Sequence, residues 1–212
     1  MKAGVISFPG SNCDDDCLHA LEVSKLFSPK RLWHKNTSDL GEFDLIILPG
    51  GFSYGDYLRT GAIASVSPIM EKVKNFASQG GRVLGICNGF QILCESGLLP
   101  GALVRNRTLR FICKEVDLTE AVTQMEIKLP VAHGEGRFVV EPSMHEEMIR
   151  NGQIWLRYQE DINGSLDKIA GIKNKMGNVF GMMPHPERAT DLGSRDGMKV
   201  WQMLTKSLQG AQ

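Results

Sequence analysis

The chain has 212 residues and equal numbers of acidic and basic side chains, so its formal net charge is zero, and no basic tract favours nucleic acid as a partner. An apolar fraction of 42% and a charged fraction of 23% are typical of a globular protein, and the length suits one domain over residues 1–212. The apolar runs are too short to cross a membrane and no signal peptide is recognisable, so we expect a cytoplasmic protein.

Short apolar runs alternate with segments of helical periodicity, which predicts a parallel sheet covered by helices. In chain order, we predict strands over residues 2–8, 43–48 and 82–86, a turn and helix cap over 9–12 followed by a helix, and further helices over 62–77 and 90–95. A β-rich stretch over 103–140, strands over 168–172 and 178–182 and a helix near 198–208 complete the pattern.

The five cysteines are expected to be free thiols, because their number is odd and no export signal accompanies them. Cys13 and Cys17 enclose three aspartates, a spacing that matches no common zinc pattern. We therefore expect no metal site.

Cys87 follows a predicted strand directly and precedes a predicted helix, which is the context of a nucleophile elbow. Gly85 and Gly89 would relieve crowding at so tight a turn, and a helix N-terminus favours thiolate. A buried structural thiol is the commoner fate of a free cysteine, but the two glycines favour a catalytic role.

A nucleophilic cysteine needs a base, and the base needs an acceptor that orients it. His185 and Glu187, two residues apart beside two prolines, could share one face of an extended segment, although a stiffened surface loop explains them equally well. His133 and Glu135 repeat the spacing in a glycine-rich, looser setting. The spacing alone does not decide between the two pairs.

Acyl transfer also needs hydrogen-bond donors for the oxyanion. The backbone N–H of Asn88 is one candidate, since it follows the nucleophile directly. Gly51 is a second, because it lies in a glycine pair at the end of a neighbouring predicted strand, where ligands of such sheets bind.

Five sequence blocks resemble class I, or triad, glutamine amidotransferases, and most closely the glutaminase subunits of phosphoribosylformylglycinamidine (FGAM) synthase. They are Gly-Ile-Cys-Asn-Gly-Phe-Gln at 85–91, Phe-Pro-Gly-Ser-Asn-Cys-Asp at 8–14, Leu-Pro-Gly-Gly-Phe-Ser-Tyr-Gly-Asp-Tyr at 48–57, Ala-His-Gly-Glu-Gly at 132–136 and Gly-Met-Met-Pro-His-Pro-Glu-Arg at 181–188. The resemblance covers essentially the whole chain.

The resemblance implies a doubly wound, mostly parallel α/β fold of the flavodoxin-like kind. It implies Cys87 as nucleophile, His185 as base, Glu187 as its orienting acceptor, Gly51 and Asn88 as oxyanion donors and Gln91 as part of the glutamine pocket. Residues 105–111 are also similar to the family and are expected to line that pocket. His133 is then structural or faces a partner.

The resemblance further implies glutamine hydrolysis through a thioester, with ammonia delivered to a separate synthase subunit in purine biosynthesis. No cofactor is expected on this chain, which lacks a phosphate-binding Gly-x-x-x-x-Gly-Lys-Ser/Thr loop; ATP and magnesium are expected on the large synthase subunit. A small accessory subunit is a second expected partner, and the aromatic residues Phe52, Tyr54 and Tyr57 could serve docking.

Two alternatives remain at this point. One is another cysteine-dependent enzyme on a similar elbow, such as a peptidase, and the other is a non-catalytic scaffold or regulatory subunit.

Overall fold

The computed structural model of the chain describes residues 1–57 and 59–209. The strands are β1 (Lys2–Ser7), β2 (Ser28–Trp33), β3 (Leu45–Leu48), β4 (Arg82–Ile86), β5 (Ala102–Val104), β6 (Ile112–Glu120), β7 (Glu126–His133), β8 (Arg137–Val139), β9 (Ile154–Tyr158), β10 (Ile169–Lys173) and β11 (Val179–Met182). The helices are α1 (Asp14–Ser24), α2 (Ala62–Ser65), α3 (Pro68–Ser78), α4 (Asn88–Glu95), α5 (Pro142–Arg150) and α6 (Gly197–Gln209). Short 3₁₀ turns lie at Ser53–Asp56, Leu166–Lys168 and Pro186–Ala189.

Nine strands form one mixed sheet in the order β2-β1-β3-β4-β11-β10-β9-β6-β7. The first five are mutually parallel, and β10 and β6 run opposite to the other strands. The parallel part follows the 2-1-3-4-5 order of flavodoxin-like sheets, which confirms the predicted fold class. A separate two-stranded ribbon pairs β5 with β8.

The central strands explain why their sequences are continuous apolar runs. Every residue of β3, β4 and β11 is buried, as expected where helices cover both faces of a parallel sheet. Because β1, β3, β4 and β11 run parallel, the segments that follow them meet at one edge of the sheet. Four chain segments therefore lie close together at that edge: those that follow Ser7, Leu48, Ile86 and Met182.

Two local predictions were wrong. The helix expected over residues 62–77 is two helices, because Pro68 lacks a backbone N–H and the preceding Ser67 is extended. The cap expected from residues 9–12 is absent: Cys13 occupies the N-cap position of α1 without a side-chain capping bond, and the Ser11 hydroxyl accepts a hydrogen bond from the N–H of Phe8.

Among the described residues, no helix is both long and apolar enough to span a lipid bilayer.

Candidate active site

Cys87 lies at the sharp turn between β4 and α4, with φ of 49° and ψ of −104°. A non-glycine residue adopts this backbone only at a cost, which is common at functional sites. A Cβ on Gly85 would come within 2.5 Å of the carbonyl oxygen of Gly89, and one on Gly89 would overlap the carbonyl oxygen of Leu48. Only glycine fits at these two positions, for the steric reason inferred from the sequence.

His185 and Glu187 form a buried pair at the same edge of the sheet. The imidazole Nδ1 lies 2.6 Å from Glu187 Oε1, and the backbone N–H of His185 donates to Pro130 O over 2.9 Å. Glu187 belongs to the 3₁₀ turn Pro186–Ala189, so that turn, rather than a fully extended segment, brings the side chains together. The expected contact is present through a different local geometry.

The environment of His185 favours its protonated form. Burial by itself lowers the pKa of this imidazole, but the Glu187 carboxylate and the Cys87 sulfur outweigh burial and hold the pKa well above its usual value. The Nε2 atom is buried and has no hydrogen-bond partner among the described residues. It is therefore available to a group in the adjoining cavity.

Cys87 and His185 both line a cavity of about 490 Å³. The Cys87 sulfur lies 3.8 Å from the carbonyl oxygen of Ala132, near the end of β7. Cys87 as a whole is only 7% exposed. His185, which is oriented by Glu187, thus shares a cavity with Cys87, as a nucleophilic cysteine and its base require.

The competing pair, His133 and Glu135, does not form a dyad. The His133 ring is buried and its Nδ1 contacts Asn106 Oδ1 at 3.1 Å, while the Glu135 carboxylate accepts from the Thr60 hydroxyl at 2.5 Å. Burial and the neighbouring His185 lower the pKa of His133 to about 4. An imidazole with so low a pKa holds a proton too weakly to be an effective general base near neutral pH, and it has no carboxylate partner, so the site favours His185.

The Asn106 amide also determines which nitrogen of His133 carries a proton. Its Nδ2 donates to the carbonyl oxygens of Arg110 and His133, so its Oδ1 must face the ring as an acceptor. His133 is therefore protonated on Nδ1. The His133 side chain is buried in the cavity wall, which argues against a partner-facing role.

Of the oxyanion and pocket candidates, Gly51 and Gln91 line the same cavity, and Asn88 contacts Gln91. Gly51 has φ of 127° and bridges to Ser11 across the loop that follows β1. The Asn88 side chain accepts from the N–H of Ser53 and donates to Gln91 Oε1 at 3.0 Å. Gln91 in turn donates to the carbonyl oxygen of Glu135 at 2.6 Å, so its amide holds the cavity wall in place.

Several cavity-lining residues were not found from the sequence, although the family-like blocks contain most of them. Arg105 and Phe111, from the expected 105–111 segment, do line the cavity. The additional residues are Asn12, Cys13, Asp56, Arg59, Thr60 and Arg188. All six follow β1, β3 or β11 in the chain, and so lie at the edge where the parallel strands end. This position is the sequence feature that could have identified them.

Cys13 is the unexpected neighbour of His185. One donor atom from each of Cys13, His185 and Glu187 lies within 4.8 Å of the others, a grouping compatible with a metal ion. The Arg188 guanidinium, however, donates to the Cys13 sulfur over 3.1 Å. A fixed cation at this sulfur opposes the entry of a metal cation.

Comparisons with known proteins identify the family of the chain. Residues 1–207 match the model of the CobB/CobQ-like glutamine amidotransferase domain. The chain is 52% identical to phosphoribosylformylglycinamidine synthase subunit PurQ of Trichormus variabilis, over 98% of both chains. It superposes on a chain in the structure of PurLQS from Thermotoga maritima with a TM-score of 0.89, 45% identity and 98% coverage of each.

A more distant likeness shows only the shared fold. The crystal structure of another protein from Thermotoga maritima, described as a glutamine amidotransferase, has a TM-score of 0.60 at 18% identity, with 99% of this chain and 84% of that chain covered.

The full-length matches argue against the peptidase alternative. The chain is therefore a glutamine amidotransferase, and it belongs to the family of PurQ subunits of phosphoribosylformylglycinamidine synthase.

Proposed function

We propose that this chain hydrolyses glutamine to glutamate and ammonia through a thioester on Cys87. The ammonia goes to a separate ATP-dependent synthase subunit, which converts formylglycinamide ribonucleotide to formylglycinamidine ribonucleotide in de novo purine biosynthesis. The observation that carries the proposal is the buried His185–Glu187 pair beside the strained Cys87 elbow, in one cavity.

The first half of the reaction forms the thioester. The Cys87 thiolate attacks the carboxamide carbon of glutamine, and protonated His185 gives its Nε2 proton to the departing nitrogen, which leaves as ammonia. Glu187 keeps the ring oriented and stabilises its positive charge. Water, deprotonated by the now neutral His185, then attacks the thioester and releases glutamate.

Each tetrahedral intermediate places negative charge on the former carbonyl oxygen. We assign the backbone N–H of Asn88, at the start of α4, as one donor to this oxyanion, and the N–H of Gly51 as the other. Gly50 lies between β3 and Gly51 and must remain glycine, since a Cβ there would come within 2.8 Å of His185 Cε1. The loop is therefore packed directly against the base.

The partners follow from the family. We propose that the chain, with residues 1–212 acting as one domain, assembles with the large synthase subunit and a small accessory subunit in the cytoplasm. ATP and magnesium then bind to the large subunit, and this chain carries no cofactor. Phe52 and Tyr57 are exposed near the cavity and suit docking, whereas the Tyr54 hydroxyl contacts His34 Nδ1 at 2.9 Å and packs locally.

The test of the nucleophile is covalent labelling of the assembled complex. A glutamine analogue carrying an electrophile at the carboxamide position should modify Cys87, and mass spectrometry should find Cys13, Cys17, Cys94 and Cys113 unmodified. Excess glutamine should slow the labelling. Labelling that spares Cys87, or that glutamine does not slow, would contradict the proposed site.

The isolated chain is expected to be a poor glutaminase. A synthase subunit that controls one oxyanion donor would be an adequate switch, because each donor is worth about 3 to 4 kcal/mol, or about a hundredfold to a thousandfold in rate. Gly51 has the backbone freedom to present or withdraw its N–H. Glutamate release should be measured with and without the partner and the acceptor substrate. Equal rates would reject the switch and leave the triad assignment intact.

A further inference from the structure

The carboxylate that orients the base depends on its backbone for its own position. Glu187 is buried, and its Oε1 atom lies 2.6 Å from His185 Nδ1. Its Oε2 atom has no hydrogen-bond partner in the part of the chain that the structure describes. Since the imidazole is the only described group that bonds this carboxylate, the 3₁₀ turn Pro186–Ala189 must hold it in place. Whatever fixes that turn also fixes the distance between carboxylate and imidazole.

Thr190, the residue after the turn, connects the turn to α6. Its hydroxyl lies 2.9 Å from the carbonyl oxygen of Pro186 and 2.8 Å from the indole Nε1 of Trp201. An indole N–H can only donate, so the hydroxyl oxygen accepts from Trp201 and its proton goes to the Pro186 carbonyl. Both side chains are buried, so the two hydrogen bonds are shielded from water.

The carbonyl of Pro186 is the part of the turn that controls Glu187. It shares a planar peptide unit with the nitrogen of Glu187, so a fixed carbonyl also fixes the direction in which the chain enters that residue. The start of α6 packs against the same group: a Cβ on Gly197 would overlap the carbonyl oxygen of Pro186 and lie 2.8 Å from that of Ala189. Glycine at this position therefore lets the helix reach the turn.

Other contacts hold different parts of this segment. The backbone N–H of His185 donates to the carbonyl oxygen of Pro130, and the Arg188 guanidinium forms an ion pair with α1. These contacts fix the base and the end of the turn, but neither of them reaches the peptide unit that precedes Glu187. Of the described side-chain groups, the Thr190 hydroxyl is the one that hydrogen-bonds this peptide unit.

We propose that Thr190, held by Trp201, is a positioning residue that keeps the Glu187 carboxylate against the His185 imidazole during glutamine hydrolysis. This inference rests on the proposed function and adds to it a support that lies beyond the family-like block at 181–188. Neither Thr190 nor Trp201 is among the residues that line the cavity. Their loss should therefore slow the chemical steps and leave glutamine binding almost unchanged.

The test removes the hydroxyl and keeps the size of the side chain. In the complex with the synthase subunit, Thr190→Val should lower kcat for glutamate release about ten- to a hundredfold and change KM by less than about threefold, because small displacements of catalytic groups cost this much in rate. Thr190→Ser keeps the hydroxyl and should keep kcat within about threefold of wild type. Trp201→Phe opens the same contact from the other end and should act like Thr190→Val, so it carries the test if the valine variant does not fold.

The pH profile separates positioning from general stabilisation. Four groups lie around the His185 ring: Glu187, Cys87, Cys13 and His133. The Glu187 carboxylate helps to raise the pKa of His185, so this pKa should fall if the carboxylate moves away. The alkaline limb of kcat/KM, where the imidazolium loses its proton, should then move to lower pH in Thr190→Val and Trp201→Phe. It should stay in place in Thr190→Ser.

Ser24→Ala is the matched control. The Ser24 hydroxyl is buried at the end of α1, donates to the carbonyl oxygen of Leu21 at 2.7 Å and accepts from the N–H of Leu26, so it has the same bonding pattern away from the cavity. Its loss should lower Tm and change neither kcat nor the pH profile.

Two results would overturn the inference while normal wild-type turnover upholds the proposed function. One is an alkaline limb that does not move in Thr190→Val or Trp201→Phe, with or without a loss of kcat. The other is an equal loss of kcat in Thr190→Val and Thr190→Ser. A wild-type complex that does not hydrolyse glutamine would overturn both the inference and the proposed function.

Discussion

Cys87→Ser is expected to abolish glutamine-dependent synthesis by the assembled complex. The serine hydroxyl is far less acidic than a thiol, and the neighbouring His185 cannot make it an equivalent nucleophile. Loss of the nucleophile of a comparable triad costs on the order of a millionfold in turnover. Glutamate release should therefore fall below detection.

Ammonium salts should restore synthesis to the Cys87→Ser complex, because the synthase subunit then no longer depends on glutamine hydrolysis. Cys113→Ser is the matched control, since this thiol is exposed on β6 and should be dispensable. Two results would contradict the assignment: wild-type glutamine use by the Cys87 variant, or failure of ammonium to restore synthesis in a complex that still assembles.

The parallel half of the sheet was predictable from the sequence, because buried strands produce apolar runs that polar segments interrupt. β1, β3, β4 and β11 were all located in this way, and the strand-to-helix junction placed Cys87 at the elbow. Once strands are parallel, the segments after them must share an edge. This is why residues almost a hundred positions apart, such as Cys87 and His185, could be expected together.

Three elements were missed for identifiable reasons. β2 is an edge strand in which only Leu32 is buried, so it has no apolar run. α5 buries only Met148, so it lacks an apolar stripe, and Pro142 at its first turn was its one available signal. β9 does contain such a run, from Ile154 to Leu156, and could have been recognised.

The cavity was less predictable than the triad. Cys13 reaches His185 because β1 and β11 end at the same edge, and nothing in the local sequence around Cys13 indicates this contact. Asp56 follows two residues with left-handed backbone, Tyr54 and Gly55, in a tight turn that sequence patterns describe only as a loop. Long-range contacts between loops depend on the register of the whole sheet.

His185→Ala should reduce glutamine hydrolysis about a hundredfold to ten-thousandfold, the usual cost of losing a general base, or to below detection. Glu187→Ala should be milder, because the ring remains and only its orientation and charge stabilisation are lost. Turnover should be measured at saturating glutamine and saturating partner, so that weaker association does not enter the result. Unchanged turnover of the His185 variant would remove it from the mechanism.

His133→Ala should behave differently in the same assay. Because His133 is buried, neutral and bound to Asn106, its loss should lower thermal stability while turnover of the folded complex stays within about tenfold of wild type. His133→Gln, which keeps a polar side chain facing Asn106, should recover part of that stability.

Since both histidines precede a glutamate by two residues, only geometry separates them: the ring of His185 lies 2.6 Å from the Glu187 carboxylate, whereas the Glu135 carboxylate binds Thr60. A large loss of turnover at His133 with near-normal turnover at His185 would reverse the assignment of the base.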